Sequence, residues 1–174
     1  MAKFSRGFER LLESIVILLM VALTAVIVVA VVYRKLGASL TWYDEVASIM
    51  LAWLTYYGAA LAAYKRAHIG FPGLIQALEP KLRLAVFWFG ELVILGFFLL
   101  LAWVGLTVLE VLEGDTLVSL PWVPVQFTQS VIPIGAGLFI LGQIMSLPAQ
   151  LQRVRDGTLL HDEVEPGPEE EAGP

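Results

Sequence analysis

The chain has 174 residues and no cysteine. That absence excludes a disulfide framework, a thiol redox centre, a thiolate zinc site and an iron–sulfur cluster. Histidine is almost as scarce: the two present are His68 and His161. No second imidazole is well placed beside either, so no metal site is expected. Charge is thin at 16% of residues, against about 25% in an average soluble domain. No Walker A loop, H-E-x-x-H helix, nucleophile elbow or Gly-rich dinucleotide turn occurs, so no enzyme and no cofactor is expected.

What the chain does hold is apolar. Hydrophobic residues reach 58% and the mean hydropathy is +0.78. A soluble domain of this size has no way to hide that much apolar surface, which sets aside a soluble enzyme, a disordered chain and a nucleic-acid binder. A helix needs about 20 apolar residues to cross the hydrocarbon. The pattern predicts four such spans, at about 14–33, 46–64, 84–109 and 125–150. The expected fold is an all-α integral membrane protein, with a membrane domain over 14–152 between a short segment 1–13 and a tail 153–174. The first run is too long for a signal-peptide core and no A-x-A site follows it, so it reads as a retained helix.

Lys and Arg orient a membrane chain. One side holds nine: Lys3, Arg6, Arg10, Lys65, Arg66, Lys81, Arg83, Arg153 and Arg155. The other holds Arg34 and Lys35. Both termini are therefore expected in the cytoplasm. Tyr33, Trp42 and Trp122 fall at the outer span ends, and Tyr64 and Trp88 near the inner ones. Residues 156–174 carry seven acids and no Lys or Arg. They account for the negative net charge of −5 and read as a disordered cytoplasmic tail.

Several features stand out inside this frame. Thr41-Trp42-Tyr43-Asp44-Glu45 opens the second span and reads as a capping box, with Thr41 as the cap. Thr55, Ala59 and Ala63, and likewise Gly58 and Ala62, recur every four residues. That spacing lets helix backbones approach closely in lipid, within the chain or between subunits. Trp53 lies mid-span, too deep for an interfacial belt, and is expected to pack on a partner helix. Arg66 and His68 end the same span as part of an inward basic cluster. Glu91 is the one ionisable residue well inside an apolar run. Its placement predicts a structural ion pair, with Arg83 or a base of a partner, over a partner or lipid contact or an ion-transfer role. Pro133 is expected to kink the fourth span, with Gly135 just beyond it, and Pro124 to sit in its first turn.

In order along the chain, these residues resemble the small membrane subunit, DctQ type, of tripartite ATP-independent periplasmic (TRAP) transporters. The resemblance rests on four spans with both ends inside, Arg34, then Ser39-Leu40-Thr41-Trp42-Tyr43-Asp44-Glu45. Trp53, Gly58, Arg66-Ala67-His68-Ile69 and Pro133-Ile134-Gly135 follow, over roughly residues 10–150. Glu45 and the Arg66/His68 pair look like its most characteristic positions. It implies a bacterial inner-membrane, multi-pass protein without catalytic activity, acting as a scaffold. The implied partners are a large membrane subunit that works as an elevator on a sodium or proton gradient, and a periplasmic binding protein that captures an organic acid or related solute. Membrane lipids surround the whole. The residues expected at such interfaces are Trp42, Asp44, Glu45, Trp53, Gly58, Ala62, Arg66, His68, Glu91, Pro133 and Gly135. The competing reading is a small autonomous four-helix exporter carrying protons on Glu91.

Overall fold

A computed structural model describes residues 2–66 and 78–156. His68, His161 and the acidic segment beyond Asp156 lie outside the described residues. Among the described residues the helices are α1 (Ala2–Lys35), α2 (Tyr43–Lys65), α3 (Pro80–Val111), a one-turn α4 (Val125–Gln129) and α5 (Val131–Asp156). Among the described residues, four segments are long and apolar enough to cross a membrane, with α4 and α5 counted together as the fourth.

The long helices stand in a row. The extensive contacts are α1 with α2, α2 with α5, and α5 with α3. The third and fourth spans thus exchange places between chain order and spatial order. The row leaves each helix open on part of its surface. Leu18, Val21 and Val28 on α1, and Phe89, Leu92 and Trp103 on α3, are all exposed. Such surface is stable only against lipid or other apolar helices.

The fourth span sits inside the row, and 39% of its most apolar stretch is buried, against 6% for the first and third spans. Glycine makes that position accessible. A Cβ on Gly135 would stand 2.7 Å from the Tyr56 Cβ, and one on Gly142 would stand 3.0 Å from the Ala60 carbonyl oxygen. At Gly142 the two backbones thus come into contact, and at Gly135 the Tyr56 side chain packs directly on the α5 backbone. The apolar cluster toward the end where α1 begins and α5 finishes joins Phe8 and Leu12 of α1, Ala60 and Ala63 of α2, and Phe139 of α5. Phe98 of α3 stacks on Phe139 and extends it.

Four local expectations are corrected. Thr41 does not cap α2: the capping residue is Trp42, and no side chain bonds the helix start. The nearby carboxylate of Glu45 is turned to a distant loop, where each of its oxygens accepts from a backbone N–H. Glu91 does not pair with Arg83, whose guanidinium instead donates to the carbonyls of Val154 and Leu78. Around Pro133, the helix breaks one turn earlier, at Ser130 between α4 and α5. Pro133 has no N–H to offer the Gln129 carbonyl and its ring crowds that carbonyl, so α4 ends there. Helical bonding resumes with Ile134 N–H to the Ser130 carbonyl at 3.2 Å. Pro124 lies just outside α4, as its cap.

Candidate functional site

The row is cross-linked by polar groups at both ends. At the end where α1 begins and α5 finishes, α2 stops at Arg66, which adopts the left-handed conformation at φ 53°. Its own N–H turns back to the carbonyls of Ala62 and Ala63. Glycine is the usual residue in this conformation, because a Cβ is strained there. The arginine side chain offsets that strain with bonds no glycine can make. Nε donates to the Ser146 hydroxyl at 2.7 Å, Nη2 to the Gln143 carbonyl at 3.2 Å, and Nη1 pairs with the Glu91 carboxylate.

The second Glu91 oxygen accepts from the Gln143 side-chain amide at 2.8 Å. Glu91 is 4% exposed and Gln143 3%. Arg66, Glu91 and Gln143 thus tie the end of α2, the first half of α3 and the middle of α5 into one network. Ser146 completes it, donating within reach of the Ala63 and Gln143 carbonyls. A carboxylate in an apolar span is costly alone and tolerable when paired and hydrogen-bonded. Among the described residues the Gln143 Oε1 has no hydrogen-bond partner.

The same end is fastened a second time. Lys65 pairs with Glu13 at 2.5 Å and Glu9 at 3.3 Å. The Ser5 and Tyr64 hydroxyls are 2.5 Å apart, and Phe8 meets the Tyr64 ring edge to face. These contacts hold the first turns of α1 against the last turn of α2.

At the opposite end, Glu45 is the fastener. It accepts from the backbone N–H of Val118 at 3.1 Å and of Ser119 at 2.8 Å, and from the Ser119 hydroxyl. The loop it grips folds as a short hairpin: Thr116 bridges Pro124, and Leu117 N–H donates to the Val123 carbonyl at 3.0 Å. Trp53 donates through Nε1 to the Thr128 carbonyl at 2.8 Å and packs on Phe127. The break at Ser130 leaves the last carbonyls of α4 short of helical N–H donors, and Trp53 answers one of them. Gln126 donates to the Leu109 carbonyl at 2.8 Å, joining α4 to the end of α3.

The residues singled out in the sequence therefore divide. Arg66 and Glu91 come together. Trp42, Glu45, Trp53, Pro133 and Gly135 serve contacts within the chain, with Gly135 set against Tyr56. Asp44 is exposed. Gly58 has nothing within 4 Å of where its Cβ would be, and it shares with Thr55 and Ala62 the face of α2 turned from Ala60. Sequence reasoning missed Gln143, Ser146 and Ser119. A signal for the first two was present: a glutamine and a serine three residues apart inside an apolar run share one helix face. Nothing local marked Ser119.

Residues 23–153 match the family model of the DctQ component of tripartite ATP-independent periplasmic transporters. The match takes in the Arg66 network and both fasteners of the opposite end. No curated protein matches the chain.

Proposed function

The chain belongs to the DctQ-component family of tripartite ATP-independent periplasmic transporters, and from that premise we propose that it is the non-catalytic scaffold subunit of a secondary transporter in a bacterial inner membrane. It flanks a large elevator-type membrane subunit and widens that subunit's static part. A periplasmic binding protein delivers the solute, an organic acid or a relative of one, and an ion gradient drives uptake. Both termini face the cytoplasm.

One observation carries this reading: the helix row is pinned at both ends, by Arg66–Glu91–Gln143 and by Glu45–Ser119 with Trp53–Thr128. A support for a moving neighbour must resist shear, and buried cross-links between three helices supply that. The open face of α2 around Thr55, Gly58 and Ala62 suits a partner helix, because small residues let backbones come close where packing replaces the hydrophobic effect.

Affinity purification of the tagged chain in mild detergent tests the proposal. A large multi-span subunit encoded beside it is expected to co-purify in fixed ratio, and uptake in proteoliposomes is expected to need both. Solute movement by this chain alone would overturn the scaffold reading and favour the exporter.

A further inference from the structure

Where α3 begins and α5 ends, Pro80, Lys81 and Leu84 face Val154 and Arg155 across a mostly apolar groove of about 250 Å³. Arg83 holds its two walls together by donating to the Val154 carbonyl at 3.4 Å and the Leu78 carbonyl at 3.3 Å. Lys81 and Arg155 are exposed at its mouth. Neither meets a carboxylate among the described residues. Glu79 and Asp156 adjoin the groove in sequence but do not line it.

The groove opens onto a stripe. Lys81, Leu84, Trp88 and Leu92 fall at helical spacing on one side of α3, and Trp88 is 46% and Leu92 71% exposed. The order from the mouth inward is thus two unanswered cations, an apolar slot, an indole and an apolar ridge. The wider cleft of about 540 Å³ between α1, α2 and α5 differs in kind. Its three cations are engaged, Lys65 with Glu9 and Glu13, Arg66 with Glu91 and Arg153 in contacts of its own, so it has little to offer an anion.

We infer that the α3–α5 groove seats an anionic phospholipid. Its phosphate lies between the Lys81 ammonium and the Arg155 guanidinium, and one acyl chain follows Leu84, Trp88 and Leu92. Basic pockets between membrane helices select such headgroups by charge, while the apolar stripe selects the chain. The inference stands apart from the scaffold reading, since it needs only a membrane-embedded chain.

Native mass spectrometry of the full-length chain, purified in mild detergent and titrated with phosphatidylglycerol or phosphatidylcholine, tests it. Phosphatidylglycerol is expected to stay bound at collision energies that strip phosphatidylcholine. Lys81→Gln with Arg155→Gln is expected to weaken retention by roughly fivefold per cation removed. Arg10→Gln, an exposed cation elsewhere, is expected to change nothing. Leu84→Trp, which fills the slot and leaves both cations, is expected to lower retention as well. Unchanged retention in the double variant or in Leu84→Trp, or equal retention of the two lipids by the unaltered chain, would overturn the site. So would displacement of the lipid by millimolar inorganic phosphate, which would mark a simple anion patch. Cross-links from Lys81 to the carboxylates of residues 157–174 that persist under excess phosphatidylglycerol would give the groove to that segment instead.

Discussion

At the scale of single residues, the Arg66–Glu91–Gln143 network separates an anchor from a proton carrier. Replacing Glu91 by glutamine keeps its shape. The new side-chain oxygen can accept from Arg66, and the new amide faces Gln143. One flip of the Gln143 amide then presents its Oε1, the atom now without a partner, to the new donor. The variant Glu91→Gln is therefore expected to keep the fold and most solute uptake, with an unchanged coupling ion, in the reconstituted complex. Glu91→Leu strands the Arg66 head and the Gln143 amide, and is expected to cut assembled yield. Arg66→Ala is expected to be worse, because it leaves a carboxylate that is 4% exposed without its cation. Breaking a buried pair from one side costs about 3–5 kcal/mol. Thermal unfolding in detergent should rank the three in that order. An intact complex that loses all uptake with Glu91→Gln would instead make Glu91 a titrating group, since glutamine cannot carry a proton.

At the scale of helices, two glycines that look alike in sequence have different work. Gly135 has Tyr56 at 2.7 Å from a would-be Cβ, whereas Gly58 has open space. Gly135→Leu is expected to push α5 from α2 and destabilise the chain itself, by about 1–3 kcal/mol for overpacking. Gly58→Leu is expected to leave the isolated chain as stable as before and to weaken co-purification of the large subunit. Equal thermal stability of both variants would remove this distinction. The contrast also marks what the sequence can convey. The four spans are legible because twenty uncharged residues in a row have one home. Their neighbours are not, because a helix apolar on all sides carries no face signal, so nothing announces that the fourth span lies between the second and third. The row Thr55, Ala59, Ala63 drifts around the helix by about 40° per step of four. It leaves Thr55 exposed and Ala63 buried, and i+4 spacing alone overstates it as one surface. Glu91 is legible as a buried charge, but its partner is 25 residues earlier, past a helix end. Glu45 reads locally as part of a cap, while its partners lie 73 and 74 residues away.

At the scale of the whole molecule, the charges divide between its two ends, and the division bears on how the complex assembles. With no native cysteine, single introduced thiols report sidedness directly. Ala38→Cys and Gly114→Cys are expected to react with an impermeant reagent from outside, and Gln152→Cys only after permeabilisation. The reverse pattern would invert the topology. At the end where α2 begins, Glu45 is committed to Val118 and Ser119, so it is withdrawn from any docking surface. Asp44, Glu110, Glu113 and Asp115 remain exposed there, beside the hairpin whose tip carries Val118 at 93% and Trp122 at 77% exposure. An acidic rim around an apolar tip suits a soluble partner with a basic patch. Charges of this kind raise the rate and set the register of encounter more than they deepen affinity. Reversing Glu110, Glu113 and Asp115 to lysine is therefore expected to slow binding-protein-dependent uptake several-fold at low salt, and the deficit should shrink near 0.15 M, where the screening length is about 8 Å. Because the altered side chains are exposed, thermal unfolding should hold steady. A deficit that ignores salt would trace the effect to the hairpin's contacts with Glu45, and unchanged uptake at low salt would take the docking role from this face.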